Sequence, residues 1–124
     1  MKPTIIQIGP GQVWKLVYEW QIDTRYGNLT VPGGITFDAA SVPRLVWTVI
    51  DPMDLTLEAA LVHDWLYRVQ GVGIFDGRYK PISRRQVDEL FGDVMRRRGV
   101  NLWRRKAAWL AVRLFGGQAW RSGE

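Results

Sequence analysis

The chain contains no cysteine and a single histidine, His63. The first absence excludes disulfide frameworks, thiolate zinc sites and cysteine nucleophiles, and suits a reducing compartment. The second excludes a two-histidine metal centre within one chain. It leaves room for a serine–histidine hydrolase or an acid–base site built on one imidazole. No apolar run reaches the roughly 18 residues of a membrane-spanning helix. The start, Met1-Lys2-Pro3-Thr4, lacks the apolar stretch of a signal peptide. The expectation is a protein made in a cytoplasm, with no signal peptide and no transmembrane segment.

What is present is the composition of a folded domain. The chain has 124 residues, 47% of them apolar and 23% charged, enough to bury a core without disulfide or metal staples. One domain is expected over 1–124, with a strand and loop part at 1–53, a helical part at 54–116 and a tail at 117–124. The net charge of +5 is uneven. Residues 1–83 hold seven Lys/Arg against eight Asp/Glu, whereas residues 84–124 hold ten against four. A basic C-terminal third suits phosphate, in a nucleic acid or on a membrane, or forms a solvated helical face.

Residues 13–22 are rich in β-branched and aromatic side chains and read as a strand. Arg25-Tyr26-Gly27-Asn28 supplies turn chemistry and 28–31 a returning strand. Residues 33–54 read as loop, with a short helical turn near Leu45–Val49. Three helices follow. The first runs from about Leu55 to Val69, with Asp54 or Thr56 as its cap. The second follows the capping pair Ser83 and Gln86 and stops at Gly99. The third follows Asn101 and ends near Gly116-Gly117. The segment 71–81 between the first two reads as a flexible or hairpin-like connection. The fold class is α+β: a small N-terminal antiparallel hairpin or sheet packed on a three-helix part with two antiparallel core helices.

The first helix is apolar nearly all round, which marks it as central, and His63 and Asp64 sit in its middle. His63 and Tyr67 lie one turn apart on one face. Asp88, beside the apolar stripe Val87-Leu90-Phe91-Val94-Met95 of the second helix, faces its neighbour. It is placed to orient His63 by accepting from one ring nitrogen, leaving the other as a base. Arg84 or Arg85 is an alternative partner for Asp88, and a core histidine tying two helices together is the non-catalytic alternative for His63. The loop 34–44 offers Asp38, Ser41 and Arg44. Asp38 with Asp64 suits a hard cation such as Ca2+, and Arg44 paired with either carboxylate suits a structural loop. In the third helix, Trp103, Ala107, Leu110 and Leu114 form a stripe expected in the core. Trp103, Arg104, Arg105, Trp109 and Arg113 interleave aromatic and basic groups, as a contact surface does. Other protein subunits or a second copy are the favoured partners, then an anionic membrane surface, then nucleic acid.

The strings Gly34-Ile-Thr-Phe-Asp38-Ala-Ala-Ser41-Val-Pro-Arg44, Val62-His63-Asp64-Trp-Leu-Tyr67 and Ser83-Arg-Arg-Gln-Val-Asp88-Glu-Leu-Phe91 resemble a family of unknown function common in tailed phages and prophages, over about residues 13–115. Phe37 stands where that family usually has threonine, and Val87 where it usually has alanine. The resemblance implies a phage context, synthesis in the host cytoplasm and association with a virion or tail; it implies no mechanism. Locally, His63-Asp64-x-x-Tyr67 with Asp88 resembles the phospholipase A2 site. That resemblance implies His63 as the base that activates water, Asp64 as a calcium ligand, and Tyr67 and Asp88 as orienters of the ring, in an ester hydrolase acting on host-envelope lipid. The calcium loop of that pattern is missing before the helix, since Gly9-Pro10-Gly11 comes far too early.

Overall fold

A computed structural model of the chain describes residues 2–9, 13–37, 57–117 and 120. Within them, β1 (Ile5–Gln7), β2 (Trp14–Leu16), β3 (Trp20–Thr24), β4 (Gly27–Val31) and β5 (Thr36–Phe37) precede helix α1 (Leu57–Arg68). A hairpin of β6 (Val72–Phe75) and β7 (Arg78–Pro81) then leads to α2 (Arg84–Arg97) and α3 (Leu102–Phe115). The strands make two antiparallel sheets, ordered β1-β2-β5 and β3-β4-β6-β7. The α+β class is as expected. No helix among the described residues is long and apolar enough to cross a membrane. The expected turn at 45–49, the cap candidates Asp54 and Thr56, and the loop residues Asp38, Ser41 and Arg44 lie outside the described residues.

One strand expectation is corrected. Residues 13–22 are not one strand: the run breaks at 17–19, and β2 and β3 join different sheets. The alternation Trp14, Leu16, Tyr18, Trp20 suggests one buried face, yet Tyr18 is exposed while the other three are buried. The break coincides with the backbone of Gly33 packing tightly against Tyr18 and Glu19. The segment 71–81, expected as a flexible or hairpin-like connection, is a hairpin, and it extends the N-terminal sheet, with Leu29 opposite Phe75 and Thr30 opposite Ile74. Its turn residues Asp76 and Gly77 both have positive φ (53° and 77°), the geometry of a tight hairpin turn. Gly73 keeps this sheet close to α1, since a Cβ there would press on Leu66 and Phe75.

The helices are capped as their sequences indicate. Ser83 and Gln86 form a reciprocal capping box, Gly99 takes a φ of 86° after α2, and the Asn101 side chain accepts from the Arg104 backbone N–H. α1 is the central helix, with Ala59, Ala60, Leu61, Val62, His63, Asp64, Leu66 and Tyr67 all buried. The α2 stripe Val87, Leu90, Phe91, Val94 and Met95 is buried against it. Each such apolar side chain contributes about 1.5–3 kcal/mol on burial. The start of α1 meets the end of α2 (Glu58 to Arg98, 3.7 Å) and the end of α1 meets the start of α2 (Tyr67 to Arg84, 3.0 Å), so the two run antiparallel.

α3 corrects a second expectation. The stripe Trp103, Leu110 and Leu114 is outside, 64%, 51% and 65% exposed, and the buried residues of α3 are Ala108, Ala111 and Val112. Ten of the fourteen residues of α3 are apolar, so hydrophobic periodicity alone supports two different faces. The choice between them goes with polar contacts: the C-terminal turn is held by Arg84, whose Nη2 donates to the carbonyls of Val112 (2.8 Å) and Arg113 (2.9 Å). Small residues face α2 and the large ones face out.

Candidate functional site

The polar centre lies where α1, the N-terminal half of α2 and the C-terminal turn of α3 converge. His63 Nε2 is 2.7 Å from Asp88 Oδ1, and the Tyr67 hydroxyl donates to the same oxygen at 2.6 Å. An ionised carboxylate only accepts, so Nε2 carries the ring proton. Arg113 Nη1 donates to the other oxygen, Oδ2, at 2.9 Å, and Arg84 Nε donates to the Tyr67 hydroxyl at 3.0 Å. His63, Tyr67 and Asp88 have no exposed surface. The His63 ring stacks at 4.1 Å on Tyr67 and 4.9 Å from Phe91, and Trp120 meets Tyr67 edge-on at 5.1 Å.

The electrostatics follow from these contacts. Burial by itself would push the Asp88 carboxyl up. The hydrogen bonds and charge of its partners, His63 first, then Tyr67 and Arg113, outweigh that and hold it below its ordinary value. Burial and the neighbouring carboxylate push the Tyr67 phenol well above its ordinary range, so it is a fixed donor. A buried triad of this kind is costly unless each member is partnered. Here both oxygens of Asp88 are used.

The expected trio His63, Tyr67 and Asp88 is therefore brought together. Asp64, the neighbouring residue, is buried and has an interaction partner of its own. Among the described residues no three His, Asp or Glu side chains gather as a metal site. Asp38, the second expected cation ligand, lies outside the described residues, as do Ser41 and Arg44. Arg113, read as a surface contact, instead supplies the counter-charge expected from Arg84 or Arg85. Arg84 goes to Tyr67 and to the end of α3. Trp120, one of the tryptophans that alternate with basic residues toward the C-terminus, packs on Tyr67 instead, and its position in the sequence carries no periodic signal that places it there.

Of the remaining contact candidates Trp103 is exposed, and Arg104, Arg105 and Trp109 are half-buried. Arg104 lies 5.9 Å from the centre of the exposed Trp103 ring. Arg105, Lys106, Trp109 and Leu110 line one wall of a groove of about 560 Å3, with Glu89, Gly92, Asp93 and Arg96 of α2 on the other.

The site geometry can be set beside known proteins. The family model described as "Protein of unknown function (DUF1353)" matches residues 14–112, most of the chain and all of the described site except Arg113 and Trp120. The chain belongs to the DUF1353 family. No curated protein and no solved structure gives a match. DUF1353 membership accounts for the extent of the domain and leaves its chemistry to the residues themselves.

Proposed function

We propose that this DUF1353 protein is a non-catalytic structural component of a phage-type virion or tail. In this reading the His63–Asp88–Tyr67 network is a clip that fixes three helices and presents the basic, tryptophan-bearing α3 as an outward contact face. The observation that carries the reading is the closure of the network on Asp88. A carboxylate assists an imidazole base by stabilising the positive ring that forms. The charge of Asp88 is already met by Arg113 at 2.9 Å, both of its oxygens accept, and the ring has no exposed surface.

A second reading, a phospholipase A2-like ester hydrolase, is favoured by one specific observation: a histidine and a tyrosine one turn apart share a single oxygen of an aspartate on the antiparallel helix. The base would then be Nδ1, opposite the nitrogen bonded to Asp88. Asp64 would hold calcium, whose role would be to polarise the ester carbonyl.

One pair of measurements separates the two. On the clip reading, the wild type releases no fatty acid from phosphatidylglycerol vesicles with calcium, and His63→Ala lowers the melting temperature sharply. A His63→Ala protein that folds and melts like the wild type but loses calcium-dependent lipid hydrolysis would overturn the clip and establish the hydrolase.

A further inference from the structure

The outward face of α3 is unusual in carrying two kinds of group together. Trp103, Leu110 and Leu114 fall within about 40° of one another at roughly 100° per residue, so they form one stripe along the helix. Each is more than half exposed, as are Leu102 and Phe115 at the two ends of α3. The helix holds four basic residues, Arg104, Arg105, Lys106 and Arg113, and no acidic one. The apolar surface continues from Leu110 into the groove against α2, whose walls bear Arg96, Arg105 and Lys106 together with Glu89 and Asp93, both of which Arg25 binds.

We propose that α3 docks on the headgroup region of an anionic lipid bilayer. Trp103, Leu110 and Leu114 enter the acyl boundary, and Arg104 and Lys106, on the two flanks of that stripe, meet lipid phosphates. The helix then lies in the plane of the membrane, as amphipathic helices with a basic flank do. Arg104 beside Trp103 places a cation and an indole at one depth, the depth at which both are accommodated. Two other occupants fit the same face less well. A second copy docking α3 on α3 would bring Arg104 and Lys106 against the same cations of its partner, with no acidic residue of α3 between them. Single-stranded nucleic acid would satisfy the cations and stack on Trp103, but it offers nothing to Leu110 and Leu114. The proposal rests on the clip reading only in that the clip holds α3 with this face outward.

The test is co-sedimentation of the full chain with vesicles of phosphatidylglycerol and phosphatidylcholine in equal parts, against vesicles of phosphatidylcholine alone. Expected is binding to the anionic vesicles, at least about tenfold weaker binding to the neutral ones, and a loss of more than about tenfold for Leu110→Glu/Leu114→Glu. Both leucines are exposed, so that variant should melt like the wild type. Lys106→Ala, which removes charge and no apolar contact, should lose about fivefold on anionic vesicles alone. Absence of binding, equal binding to both vesicle types, or unchanged binding of the double variant overturns the proposal. So does light scattering that finds a dimer abolished by the double variant without vesicle binding, or salt-sensitive capture of an oligonucleotide without vesicle binding. Asp88→Asn addresses the clip separately: if it leaves stability intact while wild-type vesicle binding is as expected, the clip falls and the docking face stands.

Discussion

Asp88, on α2, accepts from three donors on two other helices through two oxygens, from His63 and Tyr67 on α1 and from Arg113 on α3. Removing one of these bonds and removing the acceptor itself are therefore different experiments. Tyr67→Phe deletes one donor to Asp88 and leaves Arg84 Nε without its acceptor; a cost of about 1–2 kcal/mol is expected. Asp88→Asn keeps the shape but removes the charge, leaving Arg113 uncompensated and a buried amide among donors. A cost of about 3 kcal/mol is expected, less than for a fully buried pair because Arg113 is partly solvated. Urea unfolding of the two variants checks the order. A Tyr67→Phe protein less stable than Asp88→Asn would mean that the phenol, not the carboxylate, is the hub.

At the scale of elements, the hairpin β6–β7 depends on a backbone device at its base. Gly71 follows α1 with a φ of 74°, its carbonyl accepts from the Ile82 N–H at 2.6 Å, and a Cβ added to it would run into the Ile82 carbonyl oxygen. Gly99 has a similar φ of 86° with open space around it. Gly99→Ala should cost about 1 kcal/mol, the left-handed penalty alone, and Gly71→Ala about 3 kcal/mol or more, because the clash is with backbone. Thermal melts of both decide it, and equal losses would refute the steric argument. The same elements show what is legible in a sequence and what is not. Ser83, Gln86, Gly99 and Asn101 announce helix ends because capping is local chemistry. The pairing of His63, Tyr67 and Asp88 was readable because helical spacing put all three on facing sides of two amphipathic helices. The split of 13–22 and the outward face of α3 were not readable, since each depends on a distant partner: Gly33 in the first case, Arg84 in the second. A helix with ten apolar residues in fourteen carries no internal statement of which side is in.

At the scale of the whole molecule, charge divides the chain much as structure does. The N-terminal sheets are near neutral, and the C-terminal helices carry the surplus that gives a sequence pI of about 10.0. The acidic side chains of α2 are partly taken up internally. Arg25, at the β3–β4 turn, bonds Asp93 through Nε and Nη2 at 2.7 and 2.6 Å and Glu89 at 3.1 Å, which joins the sheet to the helices. Protonating Asp88 would remove an anion from a chain already positive, so acid should open the fold at its helical junction. The carboxyl of Asp88 is held below its ordinary 3.8, so the unfolded chain takes up that proton at higher pH than the folded one does. Its contribution is full above about 4 and is lost as pH falls through the lower folded value. Tyr67 gives the opposite edge. Its phenol is raised above an ordinary 10.0, so its contribution is full below about 10 and is lost as pH climbs toward the higher folded value. A melting temperature followed against pH should therefore fall at both of these edges. Asp88→Asn should melt lower throughout but lose the part of the acid fall due to that carboxyl, and Tyr67→Phe should lose the corresponding part of the alkaline fall. If Asp88→Asn leaves the acid edge as steep as in the wild type, the carboxylates of the sheet surface, rather than the junction of the three helices, set the acid limit of the fold.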